Sequence, residues 1–243
     1  MYRNNWIEGT DHRYFTYRSQ LRLADMLFKK LNLKNEISML SVGCGNGNEL
    51  RVLNRYGSVD ILDIEKDVVS KIPKNLYSSL FIEDICDFKS QKKYDIVVGF
   101  EVLEHIQDDK KAVESIHNLL KEGGYFLFTV PSIKALVSAH DKALLHIRRY
   151  DKEELKGLIT AKFDIIFFSY RYFFILPMVL ISKVLNKNAN PKIEAPRVPG
   201  LINDIILTIL MAEILLMERG GSLPFGASVV GIGRKKSDRK NNR

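Results

Sequence analysis

Residues 41 to 48 read Ser41-Val42-Gly43-Cys44-Gly45-Asn46-Gly47-Asn48. Glycines at this spacing let the chain turn tightly and let a ligand approach bare backbone amides. A dinucleotide fingerprint would place its third glycine where Asn48 stands, so the pattern here is Gly-x-Gly-x-Gly instead. Asp63 follows Gly43 by 20 residues. A carboxylate at that place can accept both hydroxyls of an adenosine ribose. Farther on, Asp84 can accept from an adenine amino group while Ile85 covers the ring, and Ile64 stands next to Asp63. Three polar sites at three consecutive strand ends describe a nucleoside-binding crevice; the plainer alternative is that both aspartates are loop and cap residues.

Titratable groups cluster downstream. Glu101, Glu104 and His105 form Glu-x-x-Glu-His. On a helical turn, residues three and four apart share a face, so these three are the candidates if a hard divalent cation is held; the expectation is that no metal is required. Neutral imidazole is available near pH 7. His105, His140 and His146 are therefore candidate general bases, and His105 and His146 are carried forward as catalytic candidates. Arg148 and Arg149 offer fork geometry for an anionic acceptor, or else form a surface pair. Cys44 and Cys86 are too few for a disulfide scaffold and fit a reducing compartment.

The elements that must position these groups follow from periodicity. Short apolar runs are expected as strands over 37–42, 59–63, 79–82, 94–100, 125–130, 163–169 and 226–232. Helices are expected over 14–32, 49–56, 65–71, 109–121 and 152–161. Such alternation predicts a parallel sheet with helices on both faces, which places ligands beyond the carboxyl ends of its strands where strand order reverses. Residues 172–222 break the rhythm. Nine apolar residues from 173 to 181 include Pro177, a loop with Pro191, Pro196 and Pro199 follows, and 201–217 is apolar almost all round. This predicts a helical hairpin that packs on the body, on a second copy, or on a membrane surface.

The segment from Met39 to Ser132 resembles the class I S-adenosylmethionine-dependent methyltransferases. The run from Tyr94 to Ile106 (YDIVVGFEVLEHI) carries most of the likeness, and Leu119–Tyr125 with Val130-Pro131 continues it. The resemblance implies a Rossmann-like, doubly wound α/β fold. Its sheet would have seven mostly parallel strands and an antiparallel last one, after an α-helical hairpin insertion. It implies S-adenosylmethionine as cofactor, with Gly43, Cys44, Gly45, Asn46 and Gly47 facing the methionine part. Asp63 and Ile64 would lie at the ribose, Asp84 and Ile85 at the adenine, and Phe100 and Glu101 near the sulfonium. Family members often carry an acid two residues before the first glycine; here that position is Ser41. His146 to Tyr150 and Leu223 to Gly226 resemble a subgroup found with bacterial cell-surface glycan and glycolipid genes.

The expected organisation is a helical cap over 1–36, an α/β core over 37–171, the apolar insertion over 172–222, and a last strand with a basic tail over 223–243. The 243 residues carry a net charge of +8. The last ten hold six basic residues and one acidic, leaving only +3 on the body. That balance, with no amino-methylation motif or catalytic Pro-Cys, argues against a nucleic-acid partner. The expected acceptor is a small molecule, a glycan or a lipid-linked compound, methylated on oxygen, and a non-catalytic cofactor-binding scaffold is the alternative. Partners beyond that are a membrane surface touched peripherally or a second copy. Polar residues after Met1 speak against Sec-type export, so a cytoplasmic location is expected, extending to the inner face of the membrane.

Overall fold

Strands covered on both faces must be apolar along their whole length. β1 (Ile37–Val42) and β4 (Tyr94–Phe100) meet that requirement, with Met39, Leu40, Ile96 and Val97 wholly buried. The computed structural model describes residues 13–33, 36–137, 139–185 and 198–237. Its sheet also contains β2 (Gly57–Asp63), β3 (Leu80–Ile82), β5 (Leu120–Pro131), β6 (Phe163–Arg171) and β7 (Ser228–Lys235). The strand order is β3-β2-β1-β4-β5-β7-β6, parallel except for β7, which runs antiparallel to both neighbours. Strand order reverses between β1 and β4, and the expected seven-stranded α/β fold is the one observed.

Helices cover both faces. α1 (Phe15–Leu31) lies over one, and α2 (Leu50–Leu53) and α3 (Lys66–Val69) are single turns on the connections of β1 and β2. α4 (Asp109–Leu119) and α6 (Lys152–Thr160) cover the other face, with the short α5 (Ala139–Ala143) between them in the chain. The insertion supplies α7 (Leu176–Leu185) and α8 (Gly200–Glu218).

Several elements are shorter or shifted relative to expectation, each for a local reason. The helix expected over 49–56 stops after Leu53 because Asn54 caps it, its side-chain amide donating to the carbonyls of Leu50 and Leu76 at 2.8 Å each. The helix expected over 109–121 ends at Leu119 because Leu120 already pairs with Tyr94. Residues 121–124 then bulge before Tyr125 regains register opposite Ile96.

The cap and the insertion, separate in sequence, form one layer. Phe15 packs in a cluster with Ile175, Ile206, Leu207 and Leu210. The Phe15 amide donates to Asn203 Oδ1 at 2.9 Å, and Arg22 pairs with Glu218. Glu213, wholly buried, accepts from the amides of Tyr172 at 2.9 Å and Phe174 at 2.8 Å. Residues 1–12, Pro191, Pro196 and the tail from 238 onward lie outside the described residues. Replacing Glu213 by alanine removes the acceptor of two part-buried amides, and the net loss of each hydrogen bond costs about 0.5–1.5 kcal/mol. A fall in midpoint in urea titration, without change in slope, is the expected outcome.

Candidate active site

The loop after β1 sits where the strand order reverses. Gly43 and Gly45 both take left-handed backbone angles, φ +60° and +53°. A Cβ on Gly43 would come within 2.7 Å of Val102, whereas one on Gly45 would meet nothing within 4 Å. The loop is therefore closely packed beneath and open above, as a ligand cradle must be. Asp63, 4% exposed at the end of β2, fixes this shape. Its Oδ2 accepts from the Gly45 amide at 2.9 Å and its Oδ1 from the Glu65 amide at 2.9 Å. A carboxylate offers about four acceptor positions, so one group can both hold the loop and receive ligand hydroxyls.

The acid lacking at position 41 arrives from elsewhere. The Ser41 hydroxyl donates to Glu49 Oε1 at 2.9 Å. Burial pushes the Glu49 carboxyl up to about 7. Sequence reading missed this residue; the available signal was an acid eight residues past Ser41, at the turn opening α2. Cys44 is buried and its thiol is pushed up, again chiefly by burial, so it has no nucleophilic character. Asn46 is half-buried in the same loop.

Past β3, Asp84 is exposed, and its Oδ1 accepts from the Cys86 amide at 2.8 Å. Ile85 does not stand beside it on the surface but packs into the core with Phe88. The exposed apolar surface near the two acids belongs to Ile64, at 62%.

On the other side of the reversal, Phe100 is half-buried at the end of β4, and Glu101 adopts φ +54°. A non-glycine residue in this region is strained, a state that persists where the surroundings over-determine it. Here the Glu101 amide donates to both the carbonyl and Oγ1 of Thr129, at 2.9 and 3.1 Å, and its Oε1 accepts from the Ser228 hydroxyl at 3.1 Å. The helical turn expected to unite Glu101, Glu104 and His105 does not form. A 3-10 turn begins only at Leu103, and the cluster that assembles is Glu104, His105 and His146, whose ligand atoms lie within 4.8 Å of one another.

Glu104 is wholly buried; among the described residues no hydroxyl, amide or basic group donates to its side-chain oxygens, and the Glu101 carboxyl lies within hydrogen-bonding reach of it. The Nε2 atoms of His105 and His146 stand 4.0 and 3.9 Å from its Oε1, beyond hydrogen-bond range. Burial, and then the Glu101 carboxylate beside it, push the Glu104 carboxyl well above the usual range. His146 Nδ1 lies 3.1 Å from Asp141 Oδ1. A carboxylate at Nδ1 assigns the proton there and leaves Nε2 as the basic nitrogen. Arg149 braces the same Asp141 through Nε at 2.8 Å and donates to the Ser132 carbonyl at 2.9 Å. Arg148 donates to Asp109 at 2.8 Å and to the Gln107 carbonyl at 2.7 Å. Both arginines are thus occupied by the protein's own groups and form neither a surface pair nor an anion fork. Sequence reading missed Asp141, because its link to His146 closes only once α5 and the following turn are placed. The side chain of His140 lies outside the described residues.

The methyltransferase domain family matches residues 11–162. Malonyl-[acyl-carrier protein] O-methyltransferase 2 of Ilyobacter polytropus is 26% identical over 162 residues, 60% of this chain and 62% of that protein. The chain spans about three fifths of the length of the curated relatives it matches first. The N-methyltransferase NodS from Bradyrhizobium japonicum, solved with S-adenosyl-L-homocysteine, superposes with a TM-score of 0.53 at 13% identity, covering 90% of this chain and 86% of that one. The plantazolicin methyltransferase BpumL, solved with the same compound, superposes at 0.60 with 13% identity, covering 96% and 88%. At these identities the structural likeness is one of fold.

A carboxyl raised on folding adds stability at low pH, and that stability is lost as pH rises from about 4.5 through the raised value. Glu104→Gln keeps the shape and removes the titration. Relative to wild type, the variant is expected to gain stability as pH rises above about 4.5, as read by thermal melts at a series of pH values.

Proposed function

The chain belongs to the class I S-adenosylmethionine-dependent methyltransferases through their methyltransferase domain family, and on that premise we propose that it methylates an oxygen of a small-molecule, glycan or lipid-linked acceptor. One observation carries the reading. The Gly45 amide is held by the Asp63 carboxylate at the reversal of strand order, so an open backbone cradle and an acid stand side by side at the place where such sheets bind nucleosides. The name of the malonyl-[acyl-carrier protein] relative, an O-methyltransferase, supports oxygen as the acceptor atom.

Bound S-adenosylmethionine supplies a methyl carbon activated by a positively charged sulfur. The residues of this chain align it. Proximity of this kind accounts for about 7–11 kcal/mol of a barrier. Gly43 to Gly47 receive the methionine portion on backbone amides, and the Ser41–Glu49 pair offers a carboxylate to its ammonium. Asp63 accepts from the ribose hydroxyls. Asp84 receives the adenine amino group, Ile64 lies against the ring, and Phe100 and Glu101 border the sulfur. A hydroxyl acceptor must lose its proton as its oxygen bonds to carbon, and His146 Nε2 would take it, an assignment supported by the Asp141 carboxylate at Nδ1.

The convergence of Glu104, His105 and His146 favours a second reading, in which the three hold a divalent cation that lowers the acceptor's own proton affinity. Exhaustive chelation separates the two: turnover that survives assigns the proton to His146 alone.

Calorimetry with S-adenosylmethionine tests the cofactor half. Asp63→Ala, which removes both the loop tie and the ribose acceptor, is expected to abolish the heat of binding; undiminished binding would end the reading. Affinity should rise with pH through about 7, as the Glu49 carboxyl ionises opposite the ammonium. Glu49→Gln should be weaker and flat over the same range. For the transfer half, His146→Ala is expected to lower turnover by about 10²–10⁴ while cofactor binding stays unchanged. The measurement is transfer of labelled methyl to a panel of hydroxyl and carboxyl acceptors, and cofactor binding with no transfer by the wild type would point to a scaffold.

A further inference from the structure

Arg171 ends β6 and is 2% exposed, an unusual place for a guanidinium. Its direct partners are neutral. Nη1 donates to Gln20 Oε1 and Nη2 to the Ser19 hydroxyl at 2.7 Å, both on α1. The Tyr172 ring centroid lies 4.4 Å from the guanidinium carbon. Nε is buried and has no hydrogen-bond partner among the described residues. Glu213 is close enough to feel this charge, yet burial pushes its carboxyl up against the opposing effects of the Phe174 and Tyr172 amides and the arginine. Both Glu213 oxygens are engaged by those amides, and no described acid forms an ion pair with Arg171. A guanidinium buried among uncharged partners with an idle donor is costly, and an anion at Nε relieves both costs.

Arg171 stands at the carboxyl edge of the sheet, the edge on which the cofactor crevice opens. It pairs in register with Ser228, whose hydroxyl donates to Glu101. Backbone strain collects along the same edge. Glu101, Ile133 and Tyr172, at φ +54°, +61° and +63°, follow the ends of β4, β5 and β6. Non-glycine residues held in this region gather at ligand sites, where the surroundings over-determine them. Burial pushes the Tyr172 hydroxyl up, with the Arg171 guanidinium opposing and the Glu101 carboxylate adding, so this side chain lies within reach of both charges.

We propose that Arg171 binds an anionic group of the acceptor, a carboxylate or a phosphate, and so selects acidic acceptors within the class assigned above. The anion completes the donor set at Nε, and the Tyr172 ring holds the guanidinium plane. Gln20, a half-buried neutral side chain, covers the guanidinium from α1, so an entering anion displaces it without breaking an ion pair. Strands lie about 4.8 Å apart, which puts β6 three spacings, roughly 14 Å, from β4 and its Glu101 end. The anion and the oxygen that is methylated are therefore separate parts of one acceptor. This assignment rests on the proposed transfer reaction. Arg171 binds substrate in it and takes no part in moving the methyl group.

The test is titration of the full chain, saturated with S-adenosyl-L-homocysteine, with inorganic phosphate and separately with succinate, against chloride at equal ionic strength. The reporter is the proton–nitrogen NMR signal of the Arg171 side-chain Nε–H, identified by its absence from Arg171→Lys. A saturable shift is expected with phosphate or succinate and none with chloride. Preference for phosphate identifies a phosphorylated acceptor, and preference for succinate a carboxylate. By calorimetry Arg171→Gln is expected to weaken binding of the preferred anion roughly tenfold or more, with S-adenosyl-L-homocysteine binding unchanged. The wild-type titration decides even if that variant fails to fold. Loss of S-adenosyl-L-homocysteine binding by the wild type would strike the transfer reading. Intact binding of that compound with no saturable response at Nε overturns the present proposal alone, as does anion binding by Arg171→Gln equal to wild type.

Discussion

The hydrogen bond from the Gly45 amide to the Asp63 carboxylate is the contact on which the rest of the crevice depends. It joins the loop after β1 to the tip of β2 and fixes a left-handed bend that would otherwise be one of many conformations open to three glycines. The same carboxylate takes the Glu65 amide and so sets the path into α3. Both sides of the nucleoside crevice are thereby positioned by one buried acid. Asp63 is thus part of the scaffold as well as of the proposed site, so a change there acts on both.

Across the reversal, order is bought with strain and buried polarity. Glu101 occupies a backbone region unfavourable to a side chain, held there by Thr129 and Ser228. Behind it Glu104 has no donor group bonded to its carboxyl among the described residues, lies beside the Glu101 carboxyl and faces two imidazoles. A buried carboxyl in that situation resolves its cost by staying protonated. Asp141 is the contrast: it is buried too, but His146 and Arg149 are its partners. Two acids near one histidine pair thus stand in opposite surroundings, one with cationic and imidazole partners and one without.

The insertion obeys a different constraint. Its inner face is specified by polar groups as much as by apolar ones, since Asn203 and Glu213 reach backbone amides that no other described side chain satisfies. The Asn203 bond ties the insertion to Phe15 of α1, 188 residues away in the chain, and the Glu213 bonds tie α8 to the residues that open the insertion after β6. The outer face has no such partners among the described residues, and its exposed side chains, Leu201, Ile205, Leu215 and Leu216, are apolar.

Read alone, the sequence determined the alternation of strands and helices, the position of the glycine turn and the two acids at successive strand ends. These are local or nearly local properties: side-chain periodicity, the left-handed preference of glycine, and spacing along a repeating βα unit. Helix ends were misjudged where a long-range contact competed, as with Asn54 reaching Leu76, or Leu120 pairing with Tyr94. The strand-end positions of Gly43, Asp63 and Asp84 were legible for the same reason, because they lie at ends of elements that periodicity reveals. Glu49 and Asp141 were not legible, nor was the replacement of Glu101 by His146 in the cluster around Glu104. Each depends on how a turn leaves its element and what it meets in space, and only the folded chain decides that. Burial of Ile85 and exposure of Ile64 make the same point: neighbouring residues of one type are assigned opposite environments by packing, to which their own chemistry is indifferent.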